Sequence, residues 1–162
     1  DVVELARRQF SYLKNSEADV EIVMGDARLS LEREKPNQFD VLLVDAFSSD
    51  AIPVHLLTKE ALQLYREHIQ PDGIIGIHVS NKYLKLYPVV HRIADWICLA
   101  EILVQNNAVD DLEQFSSDWV LLSPDASRLK SSTFRAAKSP SPDEATGTLW
   151  TDDYSNILEI VK

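Results

Sequence analysis

Glycine is scarce in this chain. Its four copies, Gly25, Gly73, Gly76 and Gly147, do not cluster, so no glycine-rich turn of the kind that brings backbone against a nucleotide can be read. Cysteine is scarcer: Cys98 stands alone inside an apolar helical pattern, which excludes a disulfide framework and a cysteine-based metal site and points to a reducing compartment, the cytoplasm. Long apolar runs are missing too. No stretch approaches the roughly 18 to 20 residues of a bilayer span, and no charged-then-apolar leader opens the chain. Positive charge is also short, with 16 Lys and Arg against 26 Asp and Glu for a net charge of −10. That balance argues against a grip on nucleic acid or anionic lipid and suits a cationic small molecule, although acidity that merely keeps a protein soluble is the plainer account.

What is present is enough for one domain. At 162 residues and 45% hydrophobic content, the chain can bury a single core, so residues 1–162 are read as one domain. Val3, Ala6, Phe10 and Leu13 share a helical face, predicting a helix over 2–14. A short strand is expected at 20–24, a helix capped by Asp26 through about residue 34, and a strand at 40–45. Thr58 caps a helix with Ala61, Leu62, Tyr65 and Ile69 on its apolar face, and Pro71-Asp72-Gly73 turns the chain into a strand at 74–79. Leu86, Val89, Val90, Ile93, Ala94 and Ile97 form the cleanest helical stripe, followed by strands near 101–105 and 118–122. Residues 124–148, rich in Ser, Pro, Ala and Lys without periodicity, read as a mobile loop. This alternation is that of an α/β, doubly wound, mostly parallel Rossmann-like sheet.

The most informative segment is Val41-Leu42-Leu43-Val44-Asp45. Four aliphatic residues in a row read as a strand buried on both faces, and a carboxylate where it emerges marks the crevice in which open α/β sheets place ligands. Asp26 follows the preceding strand, Asp50 lies in the Asp45 loop, and His78, Ser80 and Asn81 end the next strand. Parallel strands would carry these groups to one rim. Carboxylates, a histidine and an amide without metal-ligand spacing fit an amine, or the hydroxyl and amino groups of ribose and adenine. A carboxylate beside a substrate ammonium can take its proton and free the lone pair.

At these residues the chain resembles the spermidine synthase-like proteins of the polyamine aminopropyltransferase family. The motifs are Gly25-Asp26-Ala27-Arg28, Asp40 to Asp50, Pro71-Asp72-Gly73, His78-Val79-Ser80-Asn81-Lys82-Tyr83-Leu84 and Trp150-Thr151-Asp152-Asp153-Tyr154-Ser155. The resemblance implies the class I S-adenosylmethionine-dependent methyltransferase fold and transfer of an aminopropyl group from decarboxylated S-adenosylmethionine to a diamine such as putrescine, without a metal. By the same resemblance Asp26 would bind the adenine amino group with Ala27 beside the ring, and Asp45 would orient or deprotonate the amine. Asp50 would be its acidic partner, although the spacing between the two is longer here than in the family's core enzymes. His78 stands where those enzymes place a glutamine near the diamine, and Asp153 and Tyr154 would close over the site with Asp152.

The family's first strand, with its glycine-rich turn, and its second strand, with the ribose-binding acid, would lie before residue 1. The chain is therefore expected to be the carboxyl-terminal part of a longer cytoplasmic protein, from a branch often fused to membrane segments, and to be inactive alone. With those strands missing, 20–24 either pairs with 40–45 or leaves an edge for a second copy, which predicts self-association. The expected strand order is 20–24, 40–45, 74–79, 118–122, 101–105.

Plainer roles exist for each residue. Asp26 can be only a helix cap, Asp50 a turn residue, His55 a solvated loop residue, His78 a satisfied core histidine, and Trp96, Trp119 and Trp150 packing groups. Two other functions also remain open: a methyltransferase using S-adenosylmethionine, since the scaffold does not choose the transferred group, and a non-catalytic module such as a phospho-acceptor receiver.

Overall fold

A computed structural model describes residues 2–45, 53–106, 116–134 and 147–162. Its centre is a four-stranded sheet of β1 (Phe39–Val44), β2 (Ile69–His78), β3 (Ala100–Asn106) and β4 (Ser117–Ser123), in the order β1-β2-β4-β3. β1 and β2 are parallel, while β4 runs antiparallel to both β2 and β3. Three strands thus share one direction and β4 opposes them. This is the expected order for every strand after the first.

Two helices cover one face. In α4 (Lys59–His68) the Thr58 hydroxyl accepts from Ala61 N–H at 3.2 Å, satisfying an otherwise orphaned donor, and Ala61, Leu62, Tyr65 and His68 are buried. In α5 (Tyr87–Trp96) Pro88 occupies the first turn, where no N–H is needed, and Val89, Val90, Ile93 and Ala94 are buried. These stripes form one core with alternate sheet residues Leu42, Val44, Ile75, Ile77, Val120 and Leu122. Each fully buried aliphatic side chain contributes on the order of 1.5–3 kcal/mol. The expectation that Val41 to Val44 is buried on both faces is not met, because no helix among the described residues covers the opposite face: there Val41 is 53% and Leu43 62% exposed.

The irregular passage between α4 and the straight part of β2 has a definite register. Phe39 pairs with Ile69 but Val41 pairs with Ile74, so the expected Pro71-Asp72-Gly73 turn is a bulge inside one continuous strand. Gly73 is required there, because a Cβ would lie 2.9 Å from the Phe39 carbonyl oxygen.

Four further expectations need correction. Residues 20–24 form no strand, and Val23 and Met24 are 59% and 69% exposed. A strand needs a neighbour to satisfy its backbone groups, and local propensity alone does not supply one. Direct pairing with β1 therefore does not occur. The helix over 2–14 is broken into α1 (Val2–Gln9) and α2 (Ser11–Lys14) by extended Phe10, and α1 buries no residue. Its stripe has no core to meet, which leaves short helices marginal. Cys98 lies beyond the end of α5, exposed and at φ 56°. Finally, the loop expected over 124–148 begins with single 3-10 turns at Arg128–Lys130 and Ser132–Phe134, with Leu129 buried; residues 135–146 lie outside the described residues.

The sheet then receives the carboxyl-terminal segment. Trp150 is buried in the core at 1% exposure, and its carbonyl accepts from Lys59 N–H at 3.0 Å. Another 3-10 turn follows at Ile157–Ile160. A helix long and apolar enough to cross a membrane does not occur among the described residues.

Candidate active site

Asp45 follows β1 directly, as read from its apolar run. Val44 pairs with Ile77, so the next residues on the two parallel strands, Asp45 and His78, lie side by side. His78 Nδ1 and Asp45 Oδ1 are 2.8 Å apart. An ionised carboxylate can only accept, so in this contact Nδ1 carries the hydrogen. The third strand completes the row: His78 pairs with Trp119 on β4, and the two rings stack with centroids 4.9 Å apart and planes at 19°. The Asp45 side chain is 57% exposed and that of His78 23%, so the imidazole is held between a solvated carboxylate and an indole.

The second cluster is built on α3 (Ala27–Arg33). Asp26 is its N-cap, with Oδ1 accepting from Leu29 N–H at 3.0 Å and Oδ2 meeting His55 Nε2 at 2.9 Å. The Leu29 N–H holds the Asp26 carboxyl below its ordinary range against an opposing desolvation, and His55 adds to the lowering. Arg28, two residues on, spends its donors on five acceptors. Nε reaches Glu32 at 3.0 Å, Nη1 reaches the His55 carbonyl at 2.7 Å, Thr58 Oγ1 at 3.3 Å and Asp152 Oδ1 at 2.7 Å, and Nη2 reaches Asp152 Oδ2 at 2.5 Å. Thr58 Oγ1 also donates to Asp152 Oδ1 at 2.7 Å. The Arg28 hydrogen bonds keep the Asp152 carboxyl below the usual Asp range, outweighing burial, and Thr58 adds to them. The same carboxylate raises the Arg28 guanidinium above its already high value.

Arg28 thereby ties the Gly25-Asp26-Ala27 turn, the start of α4 and the carboxyl-terminal segment to one point. Between them lies a cavity of about 440 Å³ whose lining includes Arg28, His55, Thr58, Asp152 and Ser155. Beside it Thr151 and Tyr154 exchange backbone hydrogen bonds of 2.8 and 3.2 Å, making a tight turn that exposes Asp153 and Tyr154.

The structure thus joins Asp45 directly to His78. It joins Asp26 to His55 and Arg28 to Asp152, which places the turn holding Asp153 and Tyr154 near the start of α3 without joining either residue to Ala27. Asp50 lies outside the described residues. Arg28 and Thr58 were legible only as a motif residue and a cap; their common partner Asp152 is 124 and 94 positions away, which no local pattern reveals. His55, read as a solvated loop residue, is half exposed yet paired with Asp26. Among the described residues no group of three or more His, Cys, Asp or Glu is placed to hold a metal ion.

This architecture is the Rossmann-like, methyltransferase-type fold found in spermidine synthases. The crystal structure of spermidine synthase from Thermotoga maritima matches 80% of this chain and 44% of its own, with a TM-score of 0.55 and 17% identity. A spermidine synthase in complex with the transition state analogue AdoDATO matches 80% of this chain and 43% of its own at a TM-score of 0.54 and 17% identity. In sequence, the chain is 32% identical over 90 residues to the polyamine aminopropyltransferase of Vibrio vulnificus, a match covering 53% of this chain and 28% of that protein. It is 29% identical over 63 residues to a Bifidobacterium longum protein described as "Probable polyamine aminopropyl transferase", covering 39% and 14%. No family model matches. The chain is therefore spermidine synthase-like in fold and similar to polyamine aminopropyltransferases in sequence, and it spans less than a third of the length of those curated relatives.

Proposed function

We propose that this chain forms the amine-accepting half of an enzyme that transfers an aminopropyl group from decarboxylated S-adenosylmethionine to a diamine such as putrescine. The observation that carries this reading is Asp45, a carboxylate delivered at the end of the edge strand β1, parallel to β2, more than half exposed and hydrogen-bonded to His78. A diamine enters as a cation and must lose a proton at the attacking nitrogen. A fixed carboxylate at the strand end can attract that cation, orient it and take the proton. Asp26 and Ala27, at the start of α3, stand on the adenine side, with Asp153 and Tyr154 in the adjoining turn and Asp50 following Asp45. The similarity to aminopropyltransferases favours this reading over a methyltransferase on the same scaffold.

Glycine-rich and ribose-binding contacts have no counterpart among the described residues, so the 162-residue chain by itself is expected to turn over little, and activity belongs to the whole polypeptide. The test is an assay of that polypeptide with decarboxylated S-adenosylmethionine plus putrescine, beside S-adenosylmethionine plus candidate methyl acceptors. Formation of methylthioadenosine and spermidine supports the reading; methyl transfer without aminopropyl transfer overturns it.

A further inference from the structure

We propose that His78 and Trp119 are positioning residues for Asp45: the indole fixes the plane of the imidazole, and the imidazole Nδ1–H holds one carboxylate oxygen so that the other faces the amine. This rests on the aminopropyl-transfer reading above.

The row is assembled by register across three strands. Val44 on β1 pairs with Ile77 on β2, so the residues that follow them, Asp45 and His78, lie abreast, and His78 in turn pairs with Trp119 on β4. Ile77 and Val120 belong to the core, so by strand alternation their neighbours His78 and Trp119 share the opposite face. On that face Gly76 presents only backbone: a Cβ there would stand 3.8 Å from Trp119 Cε3, so the indole lies over β2 and not out in solvent. Its stack on His78 has centroids 4.9 Å apart and planes at 19°. An imidazole otherwise turns over a broad range about its ring bond, and the indole removes that freedom.

With the plane set, Nδ1 meets Asp45 Oδ1 at 2.8 Å. This donor is present in either charge state of the ring, because a neutral imidazole against a carboxylate keeps its hydrogen on Nδ1 and an imidazolium carries one there as well. Asp45 needs such a hold. Its side chain is 57% exposed, and among the described residues Oδ1 has this hydrogen bond while Oδ2 has none. A solvated carboxylate without a fixed contact samples several rotamers, few of which face a bound amine productively. Pinning Oδ1 from the neighbouring strand leaves Oδ2 as the oxygen directed to the ammonium.

Two substitutions separate the two contacts. His78→Phe keeps a ring for Trp119 but has no N–H, whereas His78→Asn puts an amide N–H near the place of Nδ1 without a ring to stack. In the whole polypeptide, with circular dichroism matching the parent, His78→Phe should lower kcat about 100-fold at unchanged KM for the sulfonium donor, the cost of misplacing a reacting group by about an ångström. His78→Asn should recover at least about tenfold of that loss. Trp119→Leu should lower kcat about tenfold alone and add nothing in the His78→Phe background, where no donor remains to be oriented. His78→Phe within about threefold of the parent, His78→Asn as slow as His78→Phe, or additive losses in the double variant would each overturn the proposal and leave the aminopropyl reading standing. Nitrogen-15 NMR of the 162-residue chain reads the contact without turnover: His78 Nδ1 is expected to carry a proton and to shift in Asp45→Ala, and a proton-free Nδ1 in the parent would overturn the proposal. Absence of transfer to any diamine by the unmutated polypeptide would overturn the underlying reading, and this proposal with it.

Discussion

At Asp26 the protein occupies both carboxylate oxygens itself, one with Leu29 N–H and the other with His55, and the side chain is 35% exposed. At Asp45 one oxygen meets His78 and 57% of the side chain is open. Arg28 belongs with Asp26: it is 11% exposed and its donors reach five acceptors. The contrast separates two uses of polar groups at a sheet rim. Groups engaged on every side hold segments together, whereas a group oriented at one point with its remaining surface in solvent has capacity left for a ligand. The Arg28 corner is the frame, and the Asp45 end of β1 is where the proposed chemistry would take place.

Removing the frame should have the largest effect on folding. Arg28→Ala leaves Asp152 and Glu32 without their cation and should lower stability by about 2 kcal/mol, discounted from a fully buried pair because Asp152 is partly solvated. Urea unfolding checks this, and Arg28→Lys should recover little, since an ammonium cannot reproduce the two-pronged contact. Next come the glycines. Gly73→Ala sets a Cβ 2.9 Å from a backbone oxygen that cannot swing away, and should cost about 1–3 kcal/mol. Gly76→Ala meets Leu43 Cδ2 at 2.6 Å, the tip of a 62% exposed side chain that can turn outward. It should cost less than about 1 kcal/mol. Equal losses at the two positions would contradict the registers described above.

Thr58→Ala removes the α4 cap and one Asp152 contact and should cost about 1 kcal/mol, with Thr58→Ser close to the parent in thermal unfolding. The subtlest test is a pair of opposite pH slopes. The Asp152 carboxyl is lowered by Arg28, so its contribution is complete above the ordinary value of 3.8 and is lost as pH falls below that through the folded value. Glu101 is the reverse. Burial raises its carboxyl despite His91 and Tyr87, which both contact Oε1, while Oε2 is buried without a partner. The folded state binds that proton more tightly, so stability declines as pH rises from 4.5 through the raised value. Urea midpoints measured across acid pH should lose the low-pH fall in Asp152→Asn and the higher-pH decline in Glu101→Gln.

Much of the sheet was legible in advance because its strands are strongly patterned. Val41 to Val44 and Ile74 to Val79 are apolar runs bounded by charge or turn residues, and the stripe from Leu86 to Ile97 has one helical period. The failures fall where local pattern had no partner to pack against: 20–24 pairs with no strand among the described residues and the 2–14 stripe breaks at Phe10. The Asp45 position was readable from strand polarity, but its hydrogen bond to His78 was not, since it depends on register between strands 33 residues apart. Arg28 was hidden for the same reason, its partner lying at the far end of the chain.

The most direct measurement is kcat for putrescine aminopropylation by the whole polypeptide carrying Asp45→Asn, with donor binding measured in parallel. Turnover should fall by at least about 100-fold with donor affinity preserved. Full turnover in that variant would show that the carboxylate at the end of β1 neither orients nor activates the amine.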